Sequence, residues 1–276
     1  MRKQIGEVVI DVSPPEKPKF KSPLILVHGL WSGSWCWSGW ATRFSNLGWE
    51  CWAVNMRGRG EDNPQRTVAR LTFDQCVDDL KEVIRAAGPS AVLLGHSLGG
   101  VMAMKAAEDE NLSALILVSP PLPGDDPKSA GRVLQLLRLK YFLLVFLRLP
   151  IRIKEKDFSL HWLASLPRAQ HGEVLTGLVP ESSYLVERLF KPHLSSEPAL
   201  VRCPVLVVVG TDDRVIPVQA VRQRARTLGA EVKEYSGHGH WMMEEEGWEE
   251  VVNDVHRWVV QGLGEEILLA EFPNES

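Results

Sequence analysis

A serine flanked by glycines is the feature of this sequence that points most directly to chemistry. Residues 95–99 are Gly-His-Ser-Leu-Gly, after an apolar run at 91–94 and before a stretch rich in alanine and methionine. A glycine two positions to each side of Ser97 allows a sharp turn from a strand into a helix, which holds the serine Oγ clear at the carboxyl edge of a sheet. The helix N-terminus also favours developing negative charge. We interpret Ser97 as a nucleophile; the alternative is an incidental serine in a tight turn.

A serine hydroxyl becomes a good nucleophile only when a base removes its proton and an acid orients that base. Two adjacent aspartates, Asp212 and Asp213, follow an apolar run, and two histidines, His238 and His240, follow a further strand-like segment. The order serine, acid, histidine is one that such triads use in parallel α/β folds. A metal pair of the two histidines would need a third ligand cluster, and the sequence offers none beside them. We therefore expect no metal.

Short apolar runs alternate with helical patterns along much of the chain. Five runs have the composition of strands buried on both faces, at 24–27, 50–55, 91–95, 112–119 and 204–210. Apolar residues recur every three or four positions at 72–87 and 248–259, as they do in amphipathic helices. Thr72 and Gln75 form a capping-box pattern that predicts where the first of these helices begins. The alternation predicts the α/β class, with a mostly parallel sheet covered by helices on both faces.

The alternation stops at about residues 125–200, where prolines and two helix-like apolar stretches occur without a strand-like run. Because this segment lies between two core strands, we predict a helical cap at 125–200, inserted into a core built from 1–124 and 201–276. The first stretch is leucine-rich and interrupted by arginines. Three roles are open to it: an apolar wall of the site, a helix packed on the core, or a surface that docks on lipid. Its longest uncharged run, 141–147, is too short to span a bilayer, so we expect no stable membrane insertion.

The composition is that of an ordinary globular protein, with 45% hydrophobic and 24% charged residues. A formal net charge of −4 argues against binding to nucleic acid, which usually needs a basic surface. The N-terminal segment lacks the apolar core of a secretory signal, and the four cysteines have neither paired nor metal-ligand spacing. We therefore expect reduced cysteines and a cytoplasmic location.

These motifs resemble those of the α/β-hydrolase fold superfamily over nearly the whole chain, apart from the insertion. The acid motif of that superfamily, Gly-x-x-Asp-x-x-x-Pro, matches residues 210–217 with Asp213 as the acid. Its histidine motif, Gly-His-x-x-x-x-Glu, matches 239–245 with His240. The resemblance thus favours these two residues over the neighbouring aspartate and histidine. The loop at 27–37, VHGLWSGSWCW, also resembles that of the plant methyl-esterase and hydroxynitrile-lyase branch.

The same resemblance implies an oxyanion hole made of two backbone N–H groups. One belongs to Leu98, directly after the nucleophile, and the other to Leu30, in the loop after an early core strand. His28 would anchor that loop by hydrogen bonds and would not act as a base. We assign three residues beside these groups to substrate binding, with a structural role as the alternative for the histidine: Trp31, His96 and Trp241.

The resemblance implies a cofactor-free serine hydrolase that cleaves small-molecule carboxylic esters of small to medium acyl chain through an acyl-enzyme. Thioester hydrolysis, C–C hydrolysis or other lyase chemistry, and haloperoxidase-like activity are alternatives on the same triad. Hydroxynitrile lyases of the similar branch carry a threonine just before the His-Gly pair, where Leu26 and Val27 stand here, which argues against that activity. The intact serine, acid and histidine motifs argue against a ligand receptor without catalysis.

Overall fold

An eight-stranded, mostly parallel sheet runs through the protein. The computed structural model describes residues 1–59, 68–122, 131–190 and 198–268. The strands are β1 (Arg2–Ile5), β2 (Val8–Ser13), β3 (Leu24–Val27), β4 (Cys51–Asn55), β5 (Val92–His96), β6 (Ala114–Val118), β7 (Val205–Gly210) and β8 (Glu231–Tyr235). They lie in the order β1-β2-β4-β3-β5-β6-β7-β8. β2 pairs antiparallel with β1 and β4, and the other neighbours are parallel.

The parallel part of the sheet consists of the apolar runs that the sequence predicts as buried strands. Every residue of β3 to β7 is buried, as is typical of parallel strands with helices on both faces. The predicted α/β class is confirmed. The hairpin of β1 and β2 is not predicted, because β1 is polar and exposed at the sheet edge and β2 buries only Val8 and Ile10 fully.

Nine α-helices occur in the described residues. They are α1 (Ser38–Asn46), α2 (Phe73–Ala87), α3 (Leu98–Ala107), α4 (Gly131–Phe146), α5 (Glu155–His161), α6 (His171–Thr176), α7 (Ser183–Phe190), α8 (Val218–Thr227) and α9 (Trp248–Leu263). The capping box predicted at the start of α2 is present. Thr72 Oγ1 accepts from the N–H of Gln75, and the Gln75 side chain accepts from the N–H of Thr72 at 3.0 Å.

Four of these helices, α4 to α7, lie between β6 and β7, where the insertion is predicted. Only two apolar stretches indicate helices there, because α5 and α6 have 7 and 6 residues and show too few turns for a clear periodicity. α4 packs against α7, and an isolated β-bridge joins Ile151 to Glu181. Residues 123–130 and 191–197 lie outside the described part of the chain. The cap limits at 125 and 200 therefore stay a prediction.

Two further features bear on the predictions from composition. Within the described residues, no helix combines the length and the apolar character needed to cross a membrane. The four cysteines are free, and three of them, Cys36, Cys51 and Cys76, are buried. Burial raises the pKa of these three thiols, so they stay protonated at neutral pH.

Candidate active site

Ser97 lies in the turn between β5 and α3, where the sequence predicts a turn from strand to helix. Its backbone has φ 52° and ψ −125°, a conformation that residues with a side chain rarely adopt. The flanking glycines permit this turn. A Cβ on Gly95 would lie 2.6 Å from the Cα of Gly100, and a Cβ on Gly99 would collide with the carbonyl oxygen of His28. Both glycines are therefore required for the geometry that presents the serine.

Ser97, His240 and Asp213 form one hydrogen-bonded line. His240 Nε2 lies 3.1 Å from Ser97 Oγ, and His240 Nδ1 lies 2.8 Å from Asp213 Oδ2. The other carboxylate oxygen, Asp213 Oδ1, accepts from the N–H groups of Val215 and Ile216, both at 2.8 Å. The imidazole and the carboxylate are almost fully buried. Because Asp213 Oδ2 accepts a hydrogen bond from the Nδ1–H group of His240, the lone pair of Nε2 is free to accept the proton of the serine hydroxyl.

The neighbouring aspartate and histidine have other contacts. The side chain of Asp212 accepts a hydrogen bond from Thr211 Oγ1 at 3.1 Å, and the residue is exposed. His238 Nδ1 lies 3.4 Å from a carboxylate oxygen of Glu245. The structure thus brings Asp213 and His240 to Ser97. Asp212 and His238 do not take part in this series of hydrogen bonds.

The loop that contains Leu30 passes directly beside the serine. A Cβ on Gly29 would lie 3.0 Å from the Cβ of Ser97. Leu98 is the first residue of α3, so its N–H has no acceptor within the helix. Among the described residues, neither the N–H of Leu30 nor that of Leu98 donates to any acceptor. These two N–H groups are available to a ligand at the serine, and their role as oxyanion donors stays a prediction.

Trp31 joins this loop to the inserted segment. Its N–H donates to Glu181 Oε2 at 3.1 Å, and its carbonyl accepts from the N–H of Val179 at 2.9 Å. Its indole Nε1 donates to the carbonyl of Ile151 at 3.0 Å. The backbone of Trp31 has φ 61°, which is uncommon without a glycine. Within the described residues, its hydrogen bonds all end on the segment between β6 and β7, while its predicted contact with substrate stays a prediction.

A buried ion pair reinforces the attachment of the loop. The Arg59 guanidinium donates to Glu181 Oε2, the oxygen that also accepts from Trp31, and Arg59 Nε donates to the carbonyl of Ser32 at 2.9 Å. Glu181 Oε1 accepts from the N–H of Ser182 at 2.9 Å. Both charged side chains are almost fully buried, and buried charges are tolerated when paired and hydrogen-bonded. Neither residue is predicted from the sequence, because an ion pair between distant positions has no local pattern.

Aromatic rings surround His240. Its ring centroid lies 4.9 Å from that of His96 and 6.0 Å from that of Trp162. His96 Nε2 donates to the carbonyl of His240 at 2.9 Å, and Trp241 contacts the rings of His96 and Phe158. Burial and the neighbouring His240 hold the pKa of His96 well below its usual value, so it is neutral. His96 thus supports the backbone and ring of His240, and Trp241 packs against His96. The contact of both residues with substrate stays a prediction.

Trp162 and Phe158 are parts of this surrounding that the sequence does not indicate. Both belong to or directly follow the short helix α5 in the cap, and their rings stack at 5.3 Å. Trp162 also contacts Trp31 edge to face, with centroids 5.4 Å apart. Their place near His240 depends on the path of the segment between β6 and β7, which no spacing along the chain reveals.

His28 connects two loops beside the site. Its Nε2 accepts from the N–H of Met56 at 3.3 Å, so Nδ1 carries the proton and donates to the carbonyl of Gly29 at 2.7 Å. Burial, with a contribution from the positive charge of Arg59, lowers the pKa of His28 to about 3. A neutral, doubly hydrogen-bonded imidazole is what the expected role as a loop anchor requires.

The chain matches the family model described as "Alpha/beta hydrolase family" over residues 24–254. This match includes the sheet from β3 onward, the turn at Ser97 and the loops that carry Asp213 and His240. The chain therefore belongs to the alpha/beta hydrolase family.

Relatives with assigned names cover the chain to different extents. A monoacylglycerol lipase of Mycolicibacterium smegmatis is 25% identical over 272 residues, which are 93% of this chain and 94% of the relative. Esterase PIR7B of Oryza sativa subsp. japonica is 32% identical over 108 residues, 37% of this chain and 40% of the relative. The crystal structure of Paleococcus ferrophilus monoacylglycerol lipase aligns with a TM-score of 0.67 at 23% identity, over 91% of this chain and 98% of that chain. This last likeness shows the fold.

Proposed function

We propose that this protein is a carboxylic ester hydrolase in which Ser97 is the nucleophile, His240 the general base and acid, and Asp213 the orienting acid. The observation that carries the proposal is the continuous line from Asp213 through His240 to Ser97, with distances of 2.8 and 3.1 Å. The names of the relatives, a lipase and an esterase, support an ester as the bond that is cleaved.

In the first half of the reaction, Ser97 Oγ attacks the ester carbonyl carbon while His240 Nε2 takes the hydroxyl proton. The carbonyl oxygen becomes negatively charged, and the N–H groups of Leu30 and Leu98 donate hydrogen bonds to it. When the tetrahedral intermediate collapses, the leaving alcohol takes the proton from His240. The acyl group then remains on Ser97.

In the second half, a water molecule loses a proton to His240 and attacks the acyl-enzyme. Collapse of the second intermediate returns the proton to Ser97 and releases the acid. Asp213 orients the imidazole and stabilises the imidazolium through its hydrogen bond with Nδ1. The cycle needs no cofactor.

The substrate we propose is a small-molecule ester with a small to medium acyl chain. The ring of Trp162 contacts His240, and Phe158 packs against both Trp162 and Trp241. Aromatic rings of this kind offer apolar walls to an acyl or alkyl group. The formal net charge of −4 gives no support for a nucleic-acid substrate. A cytoplasmic location belongs to the same proposal.

The test compares Ser97→Ala with the wild type on p-nitrophenyl acetate and butyrate and on thioesters of the same acyl groups. We expect turnover of the oxygen esters by the wild type and a fall in kcat by about 10³-fold or more in Ser97→Ala. Ser236→Ala, at an exposed serine in the histidine loop, is the matched control and should equal the wild type. Wild-type turnover by Ser97→Ala would show that this serine is not the nucleophile. Faster turnover of the thioesters than of the oxygen esters would show that thioesters, and not carboxylic esters, are the substrate class.

A further inference from the structure

The outer face of α4 is apolar. Leu139 is 78% exposed and Phe146 is 70% exposed, and another exposed leucine, Leu160, lies on the neighbouring α5. A contiguous apolar surface of this kind marks an interaction site. Ten large apolar side chains are exposed among the described residues, and seven of them belong to α4 or the turn after it: Leu136, Leu139, Phe142, Leu143, Phe146, Leu147 and Leu149.

This helix has two opposite apolar faces. Leu134, Leu137 and Tyr141 are buried and form the side that packs on the rest of the protein. At about 100° per residue, the exposed side chains of α4 lie on the opposite side. Phe142 and Phe146 stack there with centroids 6.2 Å apart. Packing within the chain explains why the inner face is apolar. The apolar outer face has no packing partner among the described residues.

Positive charge borders the outer face. Arg138 and Lys140 lie about 100° to either side of Leu139 on the helix. Residues 131–156 contain seven lysines and arginines and one glutamate, a net charge of +6 in a chain whose net charge is −4. Counting Asp157 and Glu187, which pair with Lys140 and Arg148, leaves a local net charge of +4. Lys140 pairs with Asp157, whereas no carboxylate in the described part of the chain pairs with Arg138. The surface therefore combines an apolar stripe with a local charge opposite to that of the whole protein.

A surface that carries phosphate groups over an apolar interior complements this face. Long basic side chains at the borders of an apolar stripe can reach lipid phosphates while the stripe enters the interface. A second copy of the chain does not complement it, because a symmetric contact through this face would place the two basic borders against each other. The charge thus favours an anionic lipid surface over self-association.

We propose that α4 docks this protein on an anionic lipid surface, lying in the interface without crossing the membrane. The docked helix would also sit close to the candidate site. Tyr141 of α4 accepts a hydrogen bond from the N–H of Lys154 at 3.2 Å, directly before α5. The segment of α5 in turn supplies Phe158 and Trp162, and Trp162 contacts His240. Docking would place the candidate site one helix away from the lipid.

The experiment is co-sedimentation of the full chain with vesicles of phosphatidylcholine, with and without phosphatidylglycerol, at low and physiological salt. The apolar variant is Leu139→Ser with Phe142→Ser, and its control is Leu200→Ser, at an exposed leucine outside α4 and α5. The charge variant is Arg138→Glu, and its control is Arg226→Glu, at an exposed arginine on α8. Ser97→Ala is included to separate lipid binding from the proposed reaction. Circular dichroism and urea unfolding check that each variant is folded.

We expect binding of the wild type that needs phosphatidylglycerol and weakens with salt. The apolar double variant and Arg138→Glu should each lose about tenfold or more of this binding, while both controls and Ser97→Ala keep it. Equal binding by the double variant and the wild type, or no binding by the wild type, would overturn the proposal. Light scattering that showed a wild-type dimer split by the double variant would overturn it too, in favour of a second copy as the partner.

Discussion

The two carboxylate oxygens of Asp213 have separate tasks. One accepts from His240, and the other accepts from two backbone N–H groups of the same loop. The backbone bonds fix the side chain before any substrate arrives, so the carboxylate orients the imidazole in a single direction. Asp212, one residue earlier, has the same functional group and points to Thr211 instead. The orientation of the carboxylate therefore decides which aspartate can act as the acid. The residue type does not distinguish Asp213 from Asp212, whereas the position within the acid motif does.

This difference predicts that Asp213→Asn is far more harmful than Asp212→Asn. An asparagine at 213 can present its NH2 group to His240, which favours the wrong tautomer and leaves no lone pair for the serine proton. We expect kcat on p-nitrophenyl butyrate to fall by about 10³- to 10⁴-fold in Asp213→Asn. Asp212→Asn should stay within about twofold of the wild type. Equal losses in the two variants would contradict the assignment of the acid.

Burial of His28 predicts a dependence of stability on pH. Its pKa is about 3 in the folded protein and about 6.5 when unfolded, so below pH 6.5 the unfolded chain binds a proton that the folded chain does not. Stability should therefore fall as the pH drops from about 6.5 toward 3, by about 2 kcal/mol for this group between pH 8 and pH 5. Buried His96 contributes in the same direction.

Urea unfolding at a series of pH values measures this effect. In His28→Asn, the fall in unfolding free energy between pH 8 and pH 5 should be smaller than in the wild type by about 2 kcal/mol. The comparison of slopes removes any loss of stability that is independent of pH. If the unfolding free energy fell by the same amount between pH 8 and pH 5 in His28→Asn and in the wild type, this would contradict the conclusion that His28 is buried and neutral in the folded protein.

The sequence predicts those strands and helices whose pattern is set by neighbouring residues. The strands β3 to β7 are continuous apolar runs, and the start of α2 is marked by Thr72 and Gln75, so their types and places follow from neighbouring residues. The short helices of the cap have no such pattern. The attachment of the cap is even less local, since Trp31 and Glu181 are 150 positions apart. Contacts of that kind depend on the tertiary fold, which is why Glu181 and Arg59 are absent from the predicted site.

The attachment predicts a catalytic effect for a residue that does not touch the reacting atoms. Glu181→Gln removes the charge that pairs with Arg59, which should destabilise the fold by about 3 kcal/mol. It also loosens Trp31, the residue after the proposed oxyanion donor Leu30, so kcat should fall by about tenfold with a smaller change in KM. Steady-state kinetics and urea unfolding report the two effects separately.

A double variant distinguishes positioning from stability alone. Arg59→Met with Glu181→Leu replaces the ion pair by apolar side chains of similar size, and this should restore most of the lost stability. The N–H of Trp31 would still lack its carboxylate acceptor, so kcat should stay low. Recovery of kcat together with stability would show that the ion pair acts on the fold and not on the loop beside the serine.

Sheet topology assembles the candidate site. Ser97, Asp213 and His240 follow β5, β7 and β8, which run parallel in one sheet. The carboxyl ends of parallel strands meet at one edge, so three residues far apart in the chain come together there. The strand pattern and the order of the motifs make this convergence predictable. The covering of that edge by Phe158 and Trp162 could not be predicted, because it depends on the path of the inserted segment across the sheet.

In the proposed reaction, Ser97 is the activated nucleophile of this assembly. The most direct measurement is incubation of the folded protein with a fluorophosphonate, followed by peptide mapping in a mass spectrometer. We expect one covalent adduct, on Ser97, that is lost in Ser97→Ala and forms much more slowly in Asp213→Asn. An adduct on another residue, or none on a folded protein that still turns over esters, would contradict it.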